Sequence, residues 1–291
     1  MLLARLHWFC EALTSFPLQL TLGTIPFAIG FMIARMKWWA VAAGALVAIN
    51  GLILLSGMPI NRQSDVRDGP KLRIASANVR TDNRDHASFL KWAEAARPDV
   101  LAVLEVDARW ANVLDELDFY PYQIVDSRND NFGIALLSTQ PFEMSRILFL
   151  ADSDVPTIVA RIRLEDETWT IIATHPLPPV GNDHWGARNR HLAALAALSK
   201  QQDGRVIICG DLNTSPWSPF FGDLLRDGRV KDSRAGFGYL GTWPDHQRLL
   251  WTPIDHILVS HGMVTTSRTV GPPIGSDHRP VSATIIDPSP K

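Results

Sequence analysis

Cysteine is scarce in this sequence, in which Cys10 and Cys209 are the only two among 291 residues. A disulfide framework needs several cysteine pairs, and a structural zinc site of the common type needs a cysteine cluster, so both are excluded. Cys10 lies in an apolar N-terminal region and Cys209 in an apolar strand-like run, and we do not expect them to pair. The sequence also has no repeat and no low-complexity segment, which excludes a repeat architecture.

Basic residues are not concentrated anywhere in the chain. The sequence has 28 basic and 30 acidic residues; without Arg5, Arg35, Lys37 and Glu11 of the first sixty, the remaining 25 basic and 29 acidic residues carry a net charge of −4. Sequence-independent binding of nucleic acid depends mainly on neutralising phosphates with Lys and Arg. The composition therefore argues against a protein that coats nucleic acid.

Two long apolar stretches make up most of the first sixty residues. Residues 12–34 and 38–60 contain no charged side chain, and each stretch is long enough to cross a hydrocarbon core of about 30 Å as a helix. We expect residues 1–60 to form a membrane anchor of two transmembrane helices, at about 12–34 and 38–60. A buried globular hairpin and a cleaved signal peptide are the alternatives, but a signal peptide has only one short apolar region.

The segment between the two apolar stretches is short and basic, since it contains Arg35 and Lys37. Basic loops of membrane proteins are retained in the cytoplasm. This loop therefore predicts that both chain ends, and the domain that follows the anchor, lie outside the cytoplasm.

A polar stretch with Gly and Pro separates the anchor from the rest of the chain. We interpret residues 61–71 as a linker and residues 72–287 as a folded domain. Apolar, β-rich runs predict eight strands, at 72–77, 100–105, 133–138, 157–164, 169–175, 205–211, 254–260 and 281–286. Amphipathic patterns predict helices at 86–97, 110–118 and 187–202. The mixture, with hairpin-like neighbours among the strands, predicts an α/β fold of two sheets covered by helices.

Polar side chains recur where the predicted strands begin or end. They are Asn78, Glu105, His175, Asp211, Asn213, Asp255, Asp277 and His278. Strand ends at one edge of a sheet bring residues that are distant in sequence together on a rigid support. Carboxylates, amides and two histidines suit Mg²⁺ or Mn²⁺ better than a structural zinc ion. The pattern predicts a divalent-cation site at this edge.

Two short motifs give this pattern its specificity, "GDLN" at 210–213 and "SDHRP" at 276–280. Together with the polar residues before them, they resemble the endonuclease/exonuclease/phosphatase superfamily over about residues 72–286. The resemblance implies the DNase I-like fold, a four-layer α/β sandwich of two mixed β-sheets flanked by helices. It also implies metal-dependent cleavage of a phosphate ester, with Mg²⁺ or Mn²⁺ as the cofactor.

The resemblance also implies roles for individual residues. Glu105 is expected to be the principal metal ligand, Asn78 to lie beside it, and Asp277 to support the metal or the neighbouring histidine. His278 is expected to be the general base or the imidazole that faces the phosphate. Asp255 is expected to orient the His278 ring and raise its basicity through a hydrogen bond.

Three further site residues follow from the same resemblance. Asp211 is expected to position the nucleophilic water, Asn213 to donate to a phosphate oxygen, and His175 to act as general acid or oxyanion donor. Contacts with the substrate are predicted for Asn131, Arg188 and Trp217.

The sequence departs from the apurinic endonucleases of this superfamily at two places. Those enzymes have an active-site tyrosine where this chain has Asn131 and Phe132, and an acid where it has Arg80. Both differences argue against repair of abasic sites. The motif "THPLPP" at 174–179, followed by "ARNRHLAAL", resembles a bacterial membrane-anchored subgroup instead. That resemblance implies a protein of the bacterial cytoplasmic (inner) membrane with an extracytoplasmic catalytic domain.

Three functions remain open on the sequence alone. The first is a phosphoesterase tethered to the lipid bilayer, acting on a lipid-linked or other periplasmic phosphate ester, because tethering holds the site near lipid headgroups. The second is a metal-dependent nuclease for extracytoplasmic nucleic acid, which the net charge disfavours. The third is a non-catalytic binding module, which is disfavoured because the set of charged residues is complete. No protein partner is indicated.

Overall fold

The helices of the chain flank its strands and form its N-terminal region. The computed structural model describes residues 3–58 and 69–288. In these ranges the α-helices are α1 (Trp8–Leu13), α2 (Pro17–Ile33), α3 (Lys37–Ser56), α4 (His86–Ala96), α5 (Ala108–Leu114), α6 (Gly181–Lys200) and α7 (Pro219–Asp227). Short 3-10 helices lie at Leu3–Arg5 and Arg248–Leu250.

The strands all follow the N-terminal helices. They are β1 (Lys71–Asn78), β2 (Val100–Leu104), β3 (Tyr122–Asp126), β4 (Ile134–Ser138), β5 (Phe142–Phe149), β6 (Pro156–Leu164), β7 (Glu167–Thr174), β8 (Arg205–Asp211), β9 (Val230–Asp232), β10 (Asp255–Ser260), β11 (Val264–Val270) and β12 (Val281–Ile286). They form two six-stranded sheets, in the orders β11-β12-β1-β2-β4-β3 and β5-β6-β7-β8-β10-β9.

Both sheets are mixed and share one arrangement. Each has a parallel pair near its centre, β1 with β2 and β7 with β8, and antiparallel pairs elsewhere. The central strands are nearly continuous apolar runs, as expected for strands that are buried on both faces. Strand β1 is parallel to β2, and β7 is parallel to β8. The carboxyl ends of the two strands in each pair therefore lie side by side at one edge of their sheet.

The two sheets pack face to face, and helices cover their outer faces. The core between the sheets contains Leu104 and Ile134 of the first sheet and Ile171 and Ile207 of the second. Helices α4 and α5 cover the first sheet through a separate apolar cluster. Helices α6 and α7 cover the second sheet through another. The predicted four-layer α/β sandwich of two mixed sheets is therefore confirmed.

The structure adds elements that the sequence patterns did not predict. Four unpredicted strands, β3, β5, β9 and β11, are the outermost strands of the two sheets. Helix α7 was not predicted, and α6 begins at Gly181 rather than at residue 187. Of the predicted linker at 61–71, residues 61–68 lie outside the described residues, and Lys71 already belongs to β1.

Within residues 3–58 the N-terminal apolar region contains three α-helices, where two were predicted. Helix α1 ends at Leu13 and α2 begins at Pro17, because proline lacks a backbone N–H and fits the first turn of a helix better than its interior. Helix α2 thus begins inside the predicted span at 12–34. The span predicted at 38–60 ends at Ser56 as helix α3, and residues 59 and 60 lie outside the described residues.

Helix α3 is the one helix among the described residues that is long and apolar enough to cross a membrane. Helix α2 is apolar but shorter, and the two helices contact each other. Large apolar side chains on both are exposed, for example Phe27 at 65% and Leu52 at 68%. A membrane anchor at residues 1–60 stays a prediction.

Candidate active site

The polar residues predicted from strand ends lie at one edge of the sandwich. Asn78 ends β1, Glu105 follows β2, His175 follows β7 and Asp211 ends β8. Asp255 begins β10, and its Cα pairs with that of Asp211 in the antiparallel register of β8 and β10. Because β8 and β10 run in opposite directions, the end of β8 and the start of β10 lie at the same edge. Asp211 and Asp255 are therefore neighbours there, beside the residues that end the other strands.

Asn78 joins the two sheets through its side-chain amide. Its Nδ2 donates to Glu105 Oε1 at 2.9 Å and to Asp211 Oδ2 at 3.3 Å. The other Glu105 oxygen, Oε2, accepts from the Thr81 backbone N–H at 3.2 Å. Glu105 also has a backbone φ of 64°, in the left-handed region that costs a residue with a side chain about 1–2 kcal/mol. Hydrogen bonds thus fix the Glu105 carboxylate beside Asp211, while the Glu105 backbone is strained.

His278 lies between two carboxylates. Its Nδ1 is 3.0 Å from Asp255 Oδ2, and its Nε2 is 3.6 Å from Asp211 Oδ2. All three side chains are buried. Burial by itself lowers the pKa of His278, but Asp255 and Asp211 outweigh it and raise this pKa to about 10. The two carboxylates therefore favour the protonated form of the His278 ring.

Asp211 has a second histidine neighbour, since His175 Nε2 lies 3.5 Å from its Oδ2. Burial raises the pKa of Asp211, but His278 and His175 overcome that effect and lower it to about 2. Burial also lowers the pKa of His175, and the hydrogen bond and charge of Asp211 reverse that shift and raise it. The ionised Asp211 is thus held between two histidines that favour their charged forms.

The donor set fits a hard divalent cation. One ligand atom each from Asp211, Asp255 and His278 lies within 4.8 Å of the others, and Glu105 adjoins Asp211 through Asn78. Within the described residues, the buried Asp255 Oδ1 has no hydrogen-bond partner. Carboxylate and amide oxygens are the ligands that Mg²⁺ and Mn²⁺ prefer. Glu105 and Asn78 have the chemistry to hold such an ion next to the histidines.

Asn213 and Asn131 border the same cavity. The Asn213 backbone N–H donates to Asp211 Oδ1 at 2.9 Å, and its side-chain Nδ2 donates to the Pro176 carbonyl at 3.0 Å. Asn213 therefore fixes Asp211 and the loop after β7. Asn131 is exposed at the cavity, and the ring of its neighbour Phe132 lies 5.4 Å from the His175 ring.

The Asp277 side chain accepts a hydrogen bond from Trp243, at the rim of the site. Trp243 Nε1 donates to Asp277 Oδ2 at 3.1 Å, and the Trp243 ring lies 6.3 Å from the His278 ring. The charge of Asp277 also contributes, as a smaller effect than Asp255 or Asp211, to raising the pKa of His278. Asp277 does not line the cavity, whereas Trp243 does.

Two residues predicted to contact substrate are instead buried in structural contacts. The Arg188 guanidinium is fully buried, where Nη2 donates to Glu11 Oε2 at 2.5 Å and Nη1 to the Asn213 carbonyl at 2.7 Å. Trp217 is 1% exposed, and its Nε1 donates to the Leu54 carbonyl of α3 at 3.1 Å. Neither side chain lines the cavity, so both predictions are corrected: these residues fasten the N-terminal helices to the domain.

The cavity has a volume of about 470 Å³ and is mostly apolar. Its polar end contains the strand-end residues Glu105, His175, Asp211, Asn213 and His278. Four residues of the N-terminal region, Trp8, Ala12, Ser15 and Phe16, also line it. This contribution was not predicted, because the apolar composition of the region indicated only a membrane anchor. A signal was present, because Glu11 is the one acidic residue among the first sixty.

Comparison with known sequences and structures identifies the family and the fold. The sequence model of the Endonuclease/Exonuclease/phosphatase family matches residues 75–278. This chain belongs to that family. No curated protein sequence matches the chain.

Three solved structures share the fold at low sequence identity. A humanized D. rerio TDP2 has 17% identity, a TM-score of 0.62, and coverage of 74% of this chain and 98% of its own. A family protein from Bacteroides thetaiotaomicron has 17% identity, a TM-score of 0.63, and coverage of 75% and 98%. Sphingomyelinase C from Streptomyces griseocarneus has 18% identity, a TM-score of 0.58, and coverage of 74% and 99%.

Family membership establishes the general class of chemistry. Members of this family are metal-dependent phosphoester hydrolases, a class that includes nucleases, phosphodiesterases and phosphatases. The protein is therefore an enzyme of this class. At such low identity the structural neighbours show a common fold and do not identify the substrate.

Proposed function

We propose that this enzyme is a membrane-anchored phosphoesterase that uses Mg²⁺ or Mn²⁺ to promote in-line attack of water on a phosphate ester. The observation that carries the proposal is the Asn78 amide, which links Glu105 to Asp211 beside the Asp255–His278 pair. Phosphate-ester hydrolysis requires an activated water, neutralised phosphoryl charge and a stabilised leaving oxygen. The cluster contains side chains suited to each task.

Glu105 and Asn78 are the proposed residues that hold the divalent cation. When bound, such an ion lowers the pKa of a coordinated water and offsets the negative charge of the phosphoryl group. The strained φ of Glu105 supports this role, because residues held in costly backbone conformations are concentrated at functional sites. We assign Asp277, which is held by Trp243, to support of His278 rather than to direct ligation.

His278 is proposed to face the phosphate as an imidazolium. Asp255 and Asp211 keep its pKa above neutrality, so it stabilises negative charge that develops on a phosphoryl oxygen. This assignment selects the phosphate-facing role over the general-base role, because a protonated imidazole cannot accept the proton of the attacking water. Asp255 orients the ring through Nδ1 and leaves Nε2 directed toward Asp211.

Asp211 and His175 complete the proposed mechanism. The low pKa of Asp211 keeps it ionised, so it aligns the attacking water with the phosphorus and accepts the proton that this water releases as its oxygen bonds to phosphorus. His175, whose pKa is raised, is proposed to donate a proton to the leaving oxygen. Asn213 is proposed to assist from the loop beside Asp211, with its second amide hydrogen directed at a phosphate oxygen.

The proposed substrate is a phosphate ester that is linked to a lipid or present in the periplasm. Helix α3 has the length and composition of a membrane span, and α2 packs beside it. We propose that both insert in the bacterial cytoplasmic membrane, with the catalytic domain on the extracytoplasmic side. A tethered domain has a high effective concentration of membrane-bound substrates, which a soluble enzyme lacks.

A nuclease is the second candidate, because one similar structure is a D. rerio TDP2 complexed with single-strand DNA product. That observation concerns a protein of 16% identity. The excess of acidic over basic residues after residue 60 weighs against binding of a polyanion. We therefore rank the nuclease second.

Purified full-length protein in detergent micelles allows these proposals to be tested. Hydrolysis of bis(4-nitrophenyl) phosphate, a generic diester, is measured with Mg²⁺, with Mn²⁺ and after chelation. We expect turnover that requires the metal and falls at least about 10²-fold in Glu105→Gln and His278→Ala, since metal and charge stabilisation each contribute several kcal/mol. Nicking of plasmid DNA and hydrolysis of a phospholipid in mixed micelles are measured in parallel.

The matched control is Glu143→Gln, which removes an exposed carboxylate paired with Arg163 at the edge strand β5. This variant should keep full activity, because exposed ion pairs contribute about 1 kcal/mol or less. Equal activity of Glu105→Gln and wild type would refute the proposed site. Efficient DNA nicking without hydrolysis of any lipid phosphate would make a nuclease the better supported function.

A further inference from the structure

The cavity combines a polar end with an apolar wall from a distant part of the chain. We propose that this apolar wall binds the hydrocarbon part of an amphiphilic phosphate ester, whose phosphate lies at the strand-end residues. The inference rests on the proposed function and specifies the substrate class of the same site. We call residues 8–16 the N-terminal wall; Trp8, Ala12 and Phe16 are its apolar lining residues.

The N-terminal wall is fastened to the catalytic domain by a buried acid. Glu11 is 4% exposed, and its carboxylate accepts hydrogen bonds from Arg188 Nη2 at 2.5 Å, Trp185 Nε1 at 2.5 Å and Ser218 Oγ at 2.6 Å. A buried carboxylate is costly unless it is paired and fully hydrogen-bonded, and here it is both. Glu11 therefore fixes the position of the residues on either side of it, including Trp8 and Ala12.

The ends of the apolar helices are also fastened near this cavity. Thr252 Oγ1, on a residue that lines the cavity, donates to the Ser15 carbonyl at 3.0 Å, just before α2 begins. At the end of α3, the Leu54 carbonyl accepts from Trp217 at 3.1 Å and the Gly57 carbonyl from Arg234 Nη2 at 3.0 Å. The pair of helices is thus attached to the domain just before α2 begins and where α3 ends.

The lining continues directly into the apolar helix. Phe16 lines the cavity and immediately precedes Pro17, the first residue of α2. If α2 and α3 enter a bilayer, a hydrocarbon chain that leaves the cavity along Phe16 follows a continuous apolar surface into the lipid. Phe132 and Ile254 extend the apolar lining toward the strand ends.

The volume of the cavity favours a substrate with a small headgroup, of which only the first carbons of the hydrocarbon chain are enclosed. About 470 Å³ lies within the range of roughly 300–1,000 Å³ that is typical of small-molecule pockets. Burial of one methylene contributes about 0.8 kcal/mol, which corresponds to about fourfold in kcat/KM. Chain length therefore has a measurable effect for each carbon that enters the cavity, and none for carbons beyond it.

The test measures kcat/KM for a series of alkyl 4-nitrophenyl phosphate diesters with alkyl groups from methyl to octyl. Full-length protein in detergent micelles is used, with each ester below the concentration at which it aggregates. We expect kcat/KM to rise about two- to fourfold per carbon over the first several carbons and then to level off. Phe16→Ala and Trp8→Ala should flatten that slope, and Phe16→Leu should lie between them and wild type.

Phe149→Ala is the matched control, because Phe149 is a 55% exposed aromatic residue on the edge strand β5 and lies outside the cavity lining. It should keep the wild-type slope. Thermal unfolding of each variant shows whether it is folded, and the slope is compared only among folded variants.

The outcomes separate this inference from the proposed function. Metal-dependent hydrolysis of the methyl ester with no dependence on chain length would overturn the hydrocarbon site and leave the phosphoesterase intact. A slope that is unchanged in folded Phe16→Leu and Trp8→Ala would also overturn it. If no ester in the series is hydrolysed, the proposed function fails, and the inference fails with it.

Discussion

Asn78 and Asp211 belong to different sheets, yet the Asn78 side-chain Nδ2 lies 3.3 Å from Asp211 Oδ2. The same Nδ2 donates to Glu105 of the first sheet at 2.9 Å. One amide thus joins the proposed metal ligand on one sheet to the water-positioning acid on the other. The site depends on the packing of the two sheets, and neither sheet contains it alone.

Removal of the Asn78 amide is expected to weaken metal binding. In Asn78→Ala, Glu105 and Asp211 lose the donor that holds them together, and loss of such a supporting contact typically costs about 10- to 100-fold in metal affinity. The Mg²⁺ concentration that gives half-maximal activity should rise by that factor. Asn182→Ala, at an exposed position in the first turn of α6, is the control and should leave it unchanged. An unaltered Mg²⁺ requirement in Asn78→Ala would contradict the proposed ligand set.

The pairing of His278 with Asp255 predicts a specific change in pH dependence. Among the groups that raise the pKa of His278, Asp255 is the largest. Asp255→Asn should therefore lower this pKa, by about 1–3 units for loss of a close opposite charge. Because the proposed active form is the imidazolium, present below its pKa, the alkaline limb of the pH profile of kcat should move to lower pH.

The control for this experiment is Asp130→Asn, which removes a carboxylate that pairs with Arg128 outside the histidine cluster. Its alkaline limb should coincide with that of wild type. If Asp255→Asn lowers kcat but leaves the alkaline limb where it is, His278 does not act as the proposed cation.

The buried Glu11–Arg188 pair predicts coupling between the N-terminal wall and the catalytic domain. Burial lowers the pKa of Arg188, and Glu11 opposes that shift, which identifies the pair as mutually dependent. Glu11→Leu leaves a buried guanidinium without its partner, at an expected cost of about 3–5 kcal/mol. Arg188→Met should also destabilise the protein, since it leaves the Glu11 charge without its cation.

The double variant distinguishes an ion pair from two independent contacts. Glu11→Leu with Arg188→Met should cost clearly less than the two single changes together, because an apolar pair of similar volume replaces a buried ion pair at little cost. Thermal unfolding in detergent measures all three variants. Strictly additive effects would show that the two residues are not coupled.

The strands that could be predicted and those that could not differ in their position in the sheet. Each of the eight predicted strands has neighbours on both sides and a largely apolar sequence. The four others, β3, β5, β9 and β11, have a neighbour on one side only, and β9 consists of three residues, Val230–Asp232. Edge strands keep polar and exposed side chains, so their sequences lack the apolar run that marks a central strand.

The site residues also differ in whether the neighbouring sequence indicates their position. Asn78, Glu105, Asp211 and Asp255 could be found because each stands at the end of an apolar strand. The location of Arg188 could not, because its partner Glu11 is 177 residues away in sequence. An arginine at the start of an amphipathic helix has the same local pattern whether it faces solvent or a buried acid.

The position of the bound ion is the most direct test of the central claim, that residues from both sheets form a single metal-dependent hydrolytic site. Crystals of the protein soaked with Mn²⁺ would locate the ion by its anomalous scattering. The account predicts one peak at coordination distance from the Glu105 carboxylate, adjacent to Asn78 and lost in Glu105→Gln. Mn²⁺ bound only outside this cluster, together with full activity of Glu105→Gln, would contradict it.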